Sequence, residues 1–498
     1  MTHYFLAFML RLFAGSVTAV KIAQIILGAL HATLLGAVAR KMMGRGAGLV
    51  VGFLAAAYGP FVATEPMILR EGSAMLFATA ALYLALRALD TDASGSLRTR
   101  GGIWLVAGIV LGTGALMKET GFVFMVAVWL WVVARRLFLP AGLLLIGFIA
   151  GLSPLILRNL AVGVSPFAFS SLGSVNFIMA NAADSPAGGV LFTVPPSFKA
   201  IIESTHGRLL DSVIATLETY NRQPMLFVSN VWAKFSAIWS NIEQPDNFSY
   251  AYLQMHSYLL RMLPRFVCIW LPAALGIIIL VTRWSARRIR ALSGNRENPR
   301  EYDPETDTPR PLFMGLILFI LVVHASAQSL APVMSRYRLV LVPFLMLPAG
   351  WVLTEVAMSV ARGRWGRLTR PILGLSILGL IWFYWPANAF LRDRETRPND
   401  FVIGAVLRAE RGDFAGAYDD IERGIAFYRS GKSPVAMTLP KELFLRRSRL
   451  ILFTDYGRFH EDSDDWDILV QATPNDPFIK KLLNTESREQ SKKTPNVN

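Results

Sequence analysis

The sequence predicts an all-α polytopic membrane protein of about ten transmembrane helices, with an outer-face loop domain and a small helical-repeat C-terminal region. Three observations predict it. The 498-residue chain is 53% hydrophobic and only 17% charged, with a mean hydropathy of +0.42, too apolar for a water-soluble multidomain protein. Its apolar residues collect in runs of about 20, the length at which a helix crosses the hydrocarbon core. Its basic excess, a net charge of +15, clusters in short stretches beside those runs. That pattern orients a protein in a membrane, whereas nucleic acid would need the charge along one face, so no nucleic-acid partner is expected.

The elements follow in order. Residues 2–14, THYFLAFMLRLFA, are apolar but interrupted by Arg11 and too short to span, which suits a helix lying at the interface. No basic stretch precedes that apolar part, so no cleavable signal peptide is read and the first span is the insertion signal. That span runs from Ser16 to about Val38 and ends in Arg40, Lys41 and Arg45, a basic cluster placed in the cytoplasm. Further spans are expected at roughly 47–63, 73–89, 102–117, 120–134, 138–157, 264–282, 311–328, 338–358 and 371–387. With this register Arg98 and Arg100, Arg135 and Arg136, the run from Arg283 to Arg290 and the run from Arg362 to Arg370 fall on one side. Turns near residues 65, 118 and 332, a long loop over 158–263 and the C-terminal part fall on the other.

Six regions result: an interfacial segment 1–15, an N-terminal bundle 16–157, a loop domain 158–263, C-terminal transmembrane helices 264–390 with a polar cytoplasmic linker over 284–310, a helical region 399–475 and a disordered tail 476–498. Within the loop domain, residues from about 198 to 240 read as amphipathic helix, and a small folded cap resting on the membrane surface is expected. FVIGAVLRAERGDFAGAYDDIERGIAFYRSG reads as two short amphipathic helices joined at Gly412. A looser copy from Glu442 puts Gly457 where Gly412 stands, a spacing that resembles tetratricopeptide hairpins and would suit a periplasmic protein partner.

The only cysteine, Cys268, excludes a disulfide framework or a Cys-based metal site within one chain. No phosphate-binding loop or dinucleotide fingerprint is present, so a soluble nucleotide is not indicated. What remains is a collection of ionisable and amide groups at one membrane edge. Glu65 and Glu71, in TEPMILREG, are either solvated turn residues or, as carboxylates, a base or ligands of a divalent cation (Mg or Mn), Glu65 being the metal candidate. Lys118, in GALMKETGF, either snorkels or binds an anionic head group. Arg336 and Arg338, in SRYRLVLVP, lie on the non-cytoplasmic side against the orientation bias, and their donor forks suit phosphate. Arg158 and Asn159 end the span that feeds the long loop, and Asn176 and Asn181 follow; helix termination and turn chemistry compete with substrate contact at all four. Glu243, Asp246 and Asn247, in WSNIEQPDNFSY, combine acids and amides with aromatics, as a sugar-binding surface does and as many turns do.

The order YFLAFMLRLFAGS, ARKMMGR, FVATEPMILRE, GTGALMKETG, PLILRNLAVG with SLGSVNFIMAN, WSNIEQPDN and SRYRLVLVP resembles the polyprenyl-phosphate-dependent membrane glycosyltransferases of the GT-C class. That group includes protein mannosyltransferase-like enzymes and aminoarabinose transferase-like enzymes acting on lipid A. The resemblance covers residues 3–390 and implies hexosyl or pentosyl transfer from a polyprenyl-phosphate donor to a lipid, glycan or protein acceptor, by an inverting displacement on the outer face of the inner (plasma) membrane. It also implies roles: Glu65, which matches the family's acidic position better than Glu71, is catalytic, and Lys118, Arg336 and Arg338 meet the donor phosphate; beside these, Glu71 is a second catalytic candidate, Arg158 a further phosphate candidate, and Asn159, Asn176, Asn181, Glu243, Asp246 and Asn247 are candidates for the acceptor. Family members usually begin with one more spanning helix and an acid-bearing outer segment, so the chain is expected to be short at its N terminus, with residues 1–15 standing for the first outer loop. Two other classes fit the same hydropathy: a flippase of lipid-linked sugars, for which internal repeats and mid-membrane charges would speak, and an inactive membrane assembly protein.

Overall fold

The computed structural model describes residues 2–90, 97–166, 168, 172–190, 194–246, 248–292, 311–367, 369–391, 396–430, 435–455, 464–473, 475–477 and 480. Asn247, most of the linker over 284–310, Gly457 and the tail beyond 480 therefore lie outside the described residues. The described residues are helical with no strand, and their order matches the apolar runs. An amphipathic helix α1 (Thr2–Leu12) precedes α2 (Val17–Met43), which Ser16 caps by accepting the Ala19 amide through its hydroxyl. Helices α3 (Arg45–Ala57) and α4 (Gly59–Thr64) share the next run, broken at Tyr58 in front of Pro60. Then come α5 (Glu71–Asp90), α6 (Leu97–Met117), α7 (Thr120–Ala134) and α8 (Phe138–Ala161).

The loop domain contributes α9 (Gly173–Asn181), α10 (Phe198–Thr205), α11 (Leu209–Glu218), α12 (Pro224–Ile238), α13 (Tyr250–His256) and α14 (Tyr258–Met262). The amphipathic stretch after residue 198 is thus three helices. His206 and Gly207, both left-handed, end the first, and a turn before Pro224 ends the second. The remaining apolar runs are α15 (Phe266–Leu292), α16 (Pro311–Gln328), the short α17 (Ser335–Leu339), α18 (Val342–Ala361), α19 (Thr369–Phe383) and α20 (Pro386–Leu391). The span expected from 338 is interrupted. Pro343, which has no amide hydrogen to donate, opens α18 and leaves Arg336 and Arg338 on α17 as a separate turn.

Among the described residues, five helical segments are long and apolar enough to cross a membrane: Val17–Met43, Glu71–Leu89, Phe138–Ala161, Tyr258–Ala286 and Val342–Ala361. Shorter apolar helices, among them Gly101–Met117, Thr120–Ala134 and Phe313–Gln328, fill the other expected places. The protein is a polytopic helical membrane protein.

Close backbone approach holds the N-terminal helices together. On α6, a Cβ at Gly108 or Gly112 would stand 2.2 or 2.3 Å from the carbonyl oxygens of Leu144 and Phe148 on α8. On α8, one at Gly147 or Gly151 would stand 2.1 or 2.4 Å from those of Leu105 and Ile109. Each helix thus presents a glycine four residues after another, and the two pairs face each other. This lets main chains meet where lipid offers no hydrophobic force to bring helices together.

Two compact units result. The first is Met1–Asp246 with Leu253–Phe390; the second is Asn247–Tyr252 with Leu391–Asn498. In the second, α21 (Pro398–Ala409) and α22 (Phe414–Ser430) turn back at Gly412, whose φ of +81° few other residues adopt, and α23 (Val435–Asp455) and α24 (Asp464–Ala472) follow. Phe401, Ala405, Ala417, Ile421, Ile425 and Leu445 form its core. Arg446 and Arg449 both pair with the buried Asp465, joining α23 to α24. The loop segment Asn247–Tyr252 belongs to this unit through Ser249, which donates to Asp400, and Tyr252, whose ring meets Phe401 edge-on at 5.1 Å.

Candidate functional site

At one end of the first unit the turns 65–70, 118–119 and 335–338 meet the coil 239–246. Helix α4 ends at Thr64, whose hydroxyl donates to Pro60 O at 2.9 Å, and α5 opens directly on Glu71. Helix α6 ends one residue before Lys118, and α7 starts two residues after it. These two helix ends bring Lys118 Nζ to 2.6 Å from Glu71 Oε1, with both side chains about 1% exposed. A carboxylate at a helix N-terminus is itself favoured by the helix dipole. The ammonium also lies 4.5 Å from the centroid of the Tyr337 ring. The Arg336 guanidinium lies 5.1 Å from that centroid and pairs with Asp246. Arg70 and Glu119 form an outer pair at 3.6 Å, open to solvent and worth about 1 kcal/mol at most.

The second arginine of SRYRL has a different setting. Arg338 is buried, 2.6 Å from Glu243, and its Nη1 donates to the carbonyls of Ile238 and Ser240. The guanidinium lies 3.9 Å from the centroid of the Phe266 ring. Together with the Ser335 amide, which donates to Gln244 O at 3.0 Å, it fastens the coil 238–244 onto α17. Arg338 and Glu243 thus position the coil that carries Asp246.

Glu65 and Glu71 face different neighbours. Glu65 lies against α2, where a Cβ at Gly28 would fall 2.0 Å from its Oε1. Its carboxyl borders a small open pocket also lined by Gln24, His31, Phe61, Leu69 and Ser73. Desolvation by these surroundings pushes the Glu65 carboxyl up to about 7. Gln24 Nε2 donates to Leu69 O at 3.1 Å, whereas Gln24 Oε1 and His31 Nε2 are buried with no hydrogen-bond partner among the described residues. One carboxylate with one imidazole is a poor cage for a hard divalent cation, which prefers several oxygens. Among the described residues no group of three or more His, Cys, Asp or Glu side chains is placed to hold a metal.

The remaining candidates lie in the loop domain. Arg158 is exposed and donates to Asn159 Oδ1 at 3.0 Å. Asn159 is buried and donates to the carbonyls of Pro166 and Ala168, closing the turn that leaves α8. Asn181 donates to Phe177 O and Leu330 O and accepts Lys234 Nζ at 2.5 Å. Asn176 is half-buried on α9. The structure therefore brings Glu71, Lys118, Arg336 and Asp246 together, sets Glu65 in a neighbouring pocket, and gives Asn159 and Asn181 main-chain partners.

Sequence reasoning missed Tyr337, although its place between two arginines was a usable signal. His324 and Gln328 lie in the last two turns of α16. His324 is buried and stacks on Phe124 at 5.0 Å. Its Nδ1, both amide atoms of Gln328, Thr120 Oγ1 and Glu71 Oε2 are buried without partners among the described residues. Orphaned polar atoms of this kind cost about 1–3 kcal/mol each unless something binds them.

Residues 1–157 match the family model described as dolichyl-phosphate-mannose-protein mannosyltransferase. The matched segment contains Glu65, Glu71 and Lys118 and supports a membrane glycosyltransferase of the GT-C type. No curated protein and no solved structure matches the chain.

Proposed function

We propose that this protein, as a membrane glycosyltransferase of the GT-C type, moves a sugar from a polyprenyl-phosphate-linked donor to a hydroxyl of a lipid, glycan or protein acceptor, at the membrane edge formed by Glu65, Glu71, Lys118 and Arg336. The observation that carries the reading is the buried Glu71–Lys118 pair beside Arg336, whose second carboxylate oxygen, Glu71 Oε2, is buried with no hydrogen-bond partner among the described residues. A phosphate tethered by an isoprenoid tail reaches that depth, and a site built of fixed cations there stabilises the charge that develops on a departing phosphate.

In this reading the acceptor oxygen attacks the anomeric carbon from the side opposite the phosphate. The carbon–oxygen bond to phosphate breaks, and polyprenyl phosphate leaves with the bonding electrons. The acceptor proton goes to Glu65, the carboxyl whose pKa of about 7 lies where a base is most effective. Glu71 holds Lys118 in place, and Lys118 and Arg336 receive the leaving phosphate. Asp246 occupies the Arg336 guanidinium until the donor's phosphate displaces it. Arg158 is assigned to the donor phosphate and Asn176 to the acceptor as part of the same proposal. No step passes through a divalent cation.

Orientation belongs to the same proposal: the loop domain and the C-terminal unit face the periplasm, and the basic clusters face the cytoplasm of an inner membrane. The helical hairpins of the second unit are proposed to dock a periplasmic protein. The test is incubation of the full chain in nanodiscs with polyprenyl-phosphate mannose and envelope lipids or peptides. Transfer yields a labelled acceptor and free polyprenyl phosphate. A flippase would move the donor without cleaving it, and an assembly protein would do neither.

A further inference from the structure

Helices α11 and α12 are built inside out. A helix on the surface of a water-soluble domain buries its apolar stripe and exposes its polar one. On α11 the residues turned inward are Ser212 and Thr216: the Thr205 and Ser212 hydroxyls lie 2.9 Å apart, and Thr216 donates to Ser212 O. Leu210 (71% exposed), Ile214 and Leu217 stand outward one helical turn apart.

The same inversion holds on α12. Lys234, fully buried, donates to Ala180 O at 2.8 Å and to Asn181 Oδ1, and Asn230 donates to the Tyr220 hydroxyl at 3.1 Å. Met225 (74% exposed), Val228 and Trp232 (61% exposed) face outward at helical spacing. Against this, the apolar cluster that α10 and α11 pack on is small, centred on the buried Ile178, Ala182 and Ile201.

What covers the outward face follows from the tryptophans by which the end of α12 meets the spans. At the end of α12, Trp239 stacks on Trp270 at 4.5 Å, inside the candidate span Tyr258–Ala286. Trp382, on α19, donates its indole N–H to Trp239 O, and Trp385 donates to Ser236 O. Tryptophans gathered where spans end mark the boundary between hydrocarbon and head groups. The ends of α8 and α14, which flank the loop domain in the chain, likewise carry exposed Leu157, Leu160, Tyr258 and Met262.

We infer that α11 and α12 are monotopic membrane elements, lying in the interfacial layer of the leaflet on the loop face with Leu210, Ile214, Met225, Val228 and Trp232 among the acyl chains. The cap is therefore fixed in depth by lipid rather than suspended in water. The inference does not rest on the proposed reaction.

The test uses the full chain with Cys268→Ala, so that single cysteines at 210, 214, 228 or 222 take one spin label each, in nanodiscs of phosphatidylethanolamine and phosphatidylglycerol. Labels replacing Leu210, Ile214 and Val228 are expected to collide with oxygen several-fold more, relative to a water-soluble nickel chelate, than the label replacing the exposed Arg222. All four positions are exposed, so labelling leaves packing intact. Nickel access at 210, 214 and 228 equal to that at 222 overturns the inference by placing the apolar face in water, and low access to both nickel and oxygen at those three sites overturns it by placing the face under a soluble partner.

Discussion

Glu71 and Lys118 are each nearly without exposure, so the energetics of the pair are set by burial. Removing one partner leaves an uncompensated charge and costs about 3–5 kcal/mol, whereas replacing both with apolar residues is close to neutral. Lys118→Met is therefore expected to lower the melting midpoint sharply, and Glu71→Met with Lys118→Met to restore it while leaving transfer absent. A restored midpoint with restored activity would remove the pair from the phosphate site. Glu65 behaves differently because it is desolvated without a cation beside it. Its folded pKa of about 7 lies above the ordinary carboxyl value, so the native state binds its proton more tightly than the unfolded chain does. This contribution is fully present at pH 4 and is lost as pH rises through 7. Glu65→Gln is expected to raise the melting midpoint at pH 8 more than at pH 5, and to abolish transfer. At Arg336 the expectation is reversed: Asp246→Asn removes a competitor of phosphate and lowers the KM for donor several-fold, read from initial rates. The charges at 65, 71, 118 and 336 were legible in the sequence as interruptions of apolar runs. Their partners were not, because pairing Glu71 rather than Glu65 with Lys118 depends on which face of α5 meets α6.

At the scale of elements, the clearest signal left unread was the pair of glycine spacings GIVLG and GFIAG. They predict a close helix contact from sequence alone, and in the fold they meet, with main-chain oxygens 2.1 to 2.4 Å from where Cβ atoms would stand. Gly112→Leu or Gly147→Leu forces α6 and α8 apart, with an expected loss of roughly 1–3 kcal/mol. The check is a lower melting midpoint in detergent, with Gly142→Leu, where no atom lies within 4 Å, as the unaffected control. Spans were legible because hydrocarbon thickness leaves little freedom in length. The stretch after residue 198 was less so: its apolar residues do repeat at helical spacing, but periodicity alone does not say whether the apolar side faces a core or lipid.

Taken whole, the molecule is a membrane unit and a helical unit that share the loop domain's chain, since Asn247–Tyr252 is built into the second unit. Deleting residues from 391 onward removes Asp400 and Phe401, the partners of Ser249 and Tyr252. Limited proteolysis of the truncated protein should then cut near residues 247–252, where the full chain resists. The membrane unit is proposed to hold a sugar-transfer site at the loop face with Glu65 as its base. Its most direct test is the pH dependence of sugar release from polyprenyl-phosphate mannose by the full chain in nanodiscs, measured beside Glu65→Gln. kcat/KM is expected to rise with pH to a plateau, with a midpoint at about 7, and the variant to show no transfer. Transfer by Glu65→Gln at the rate of the unaltered protein, with the same pH profile, would contradict it.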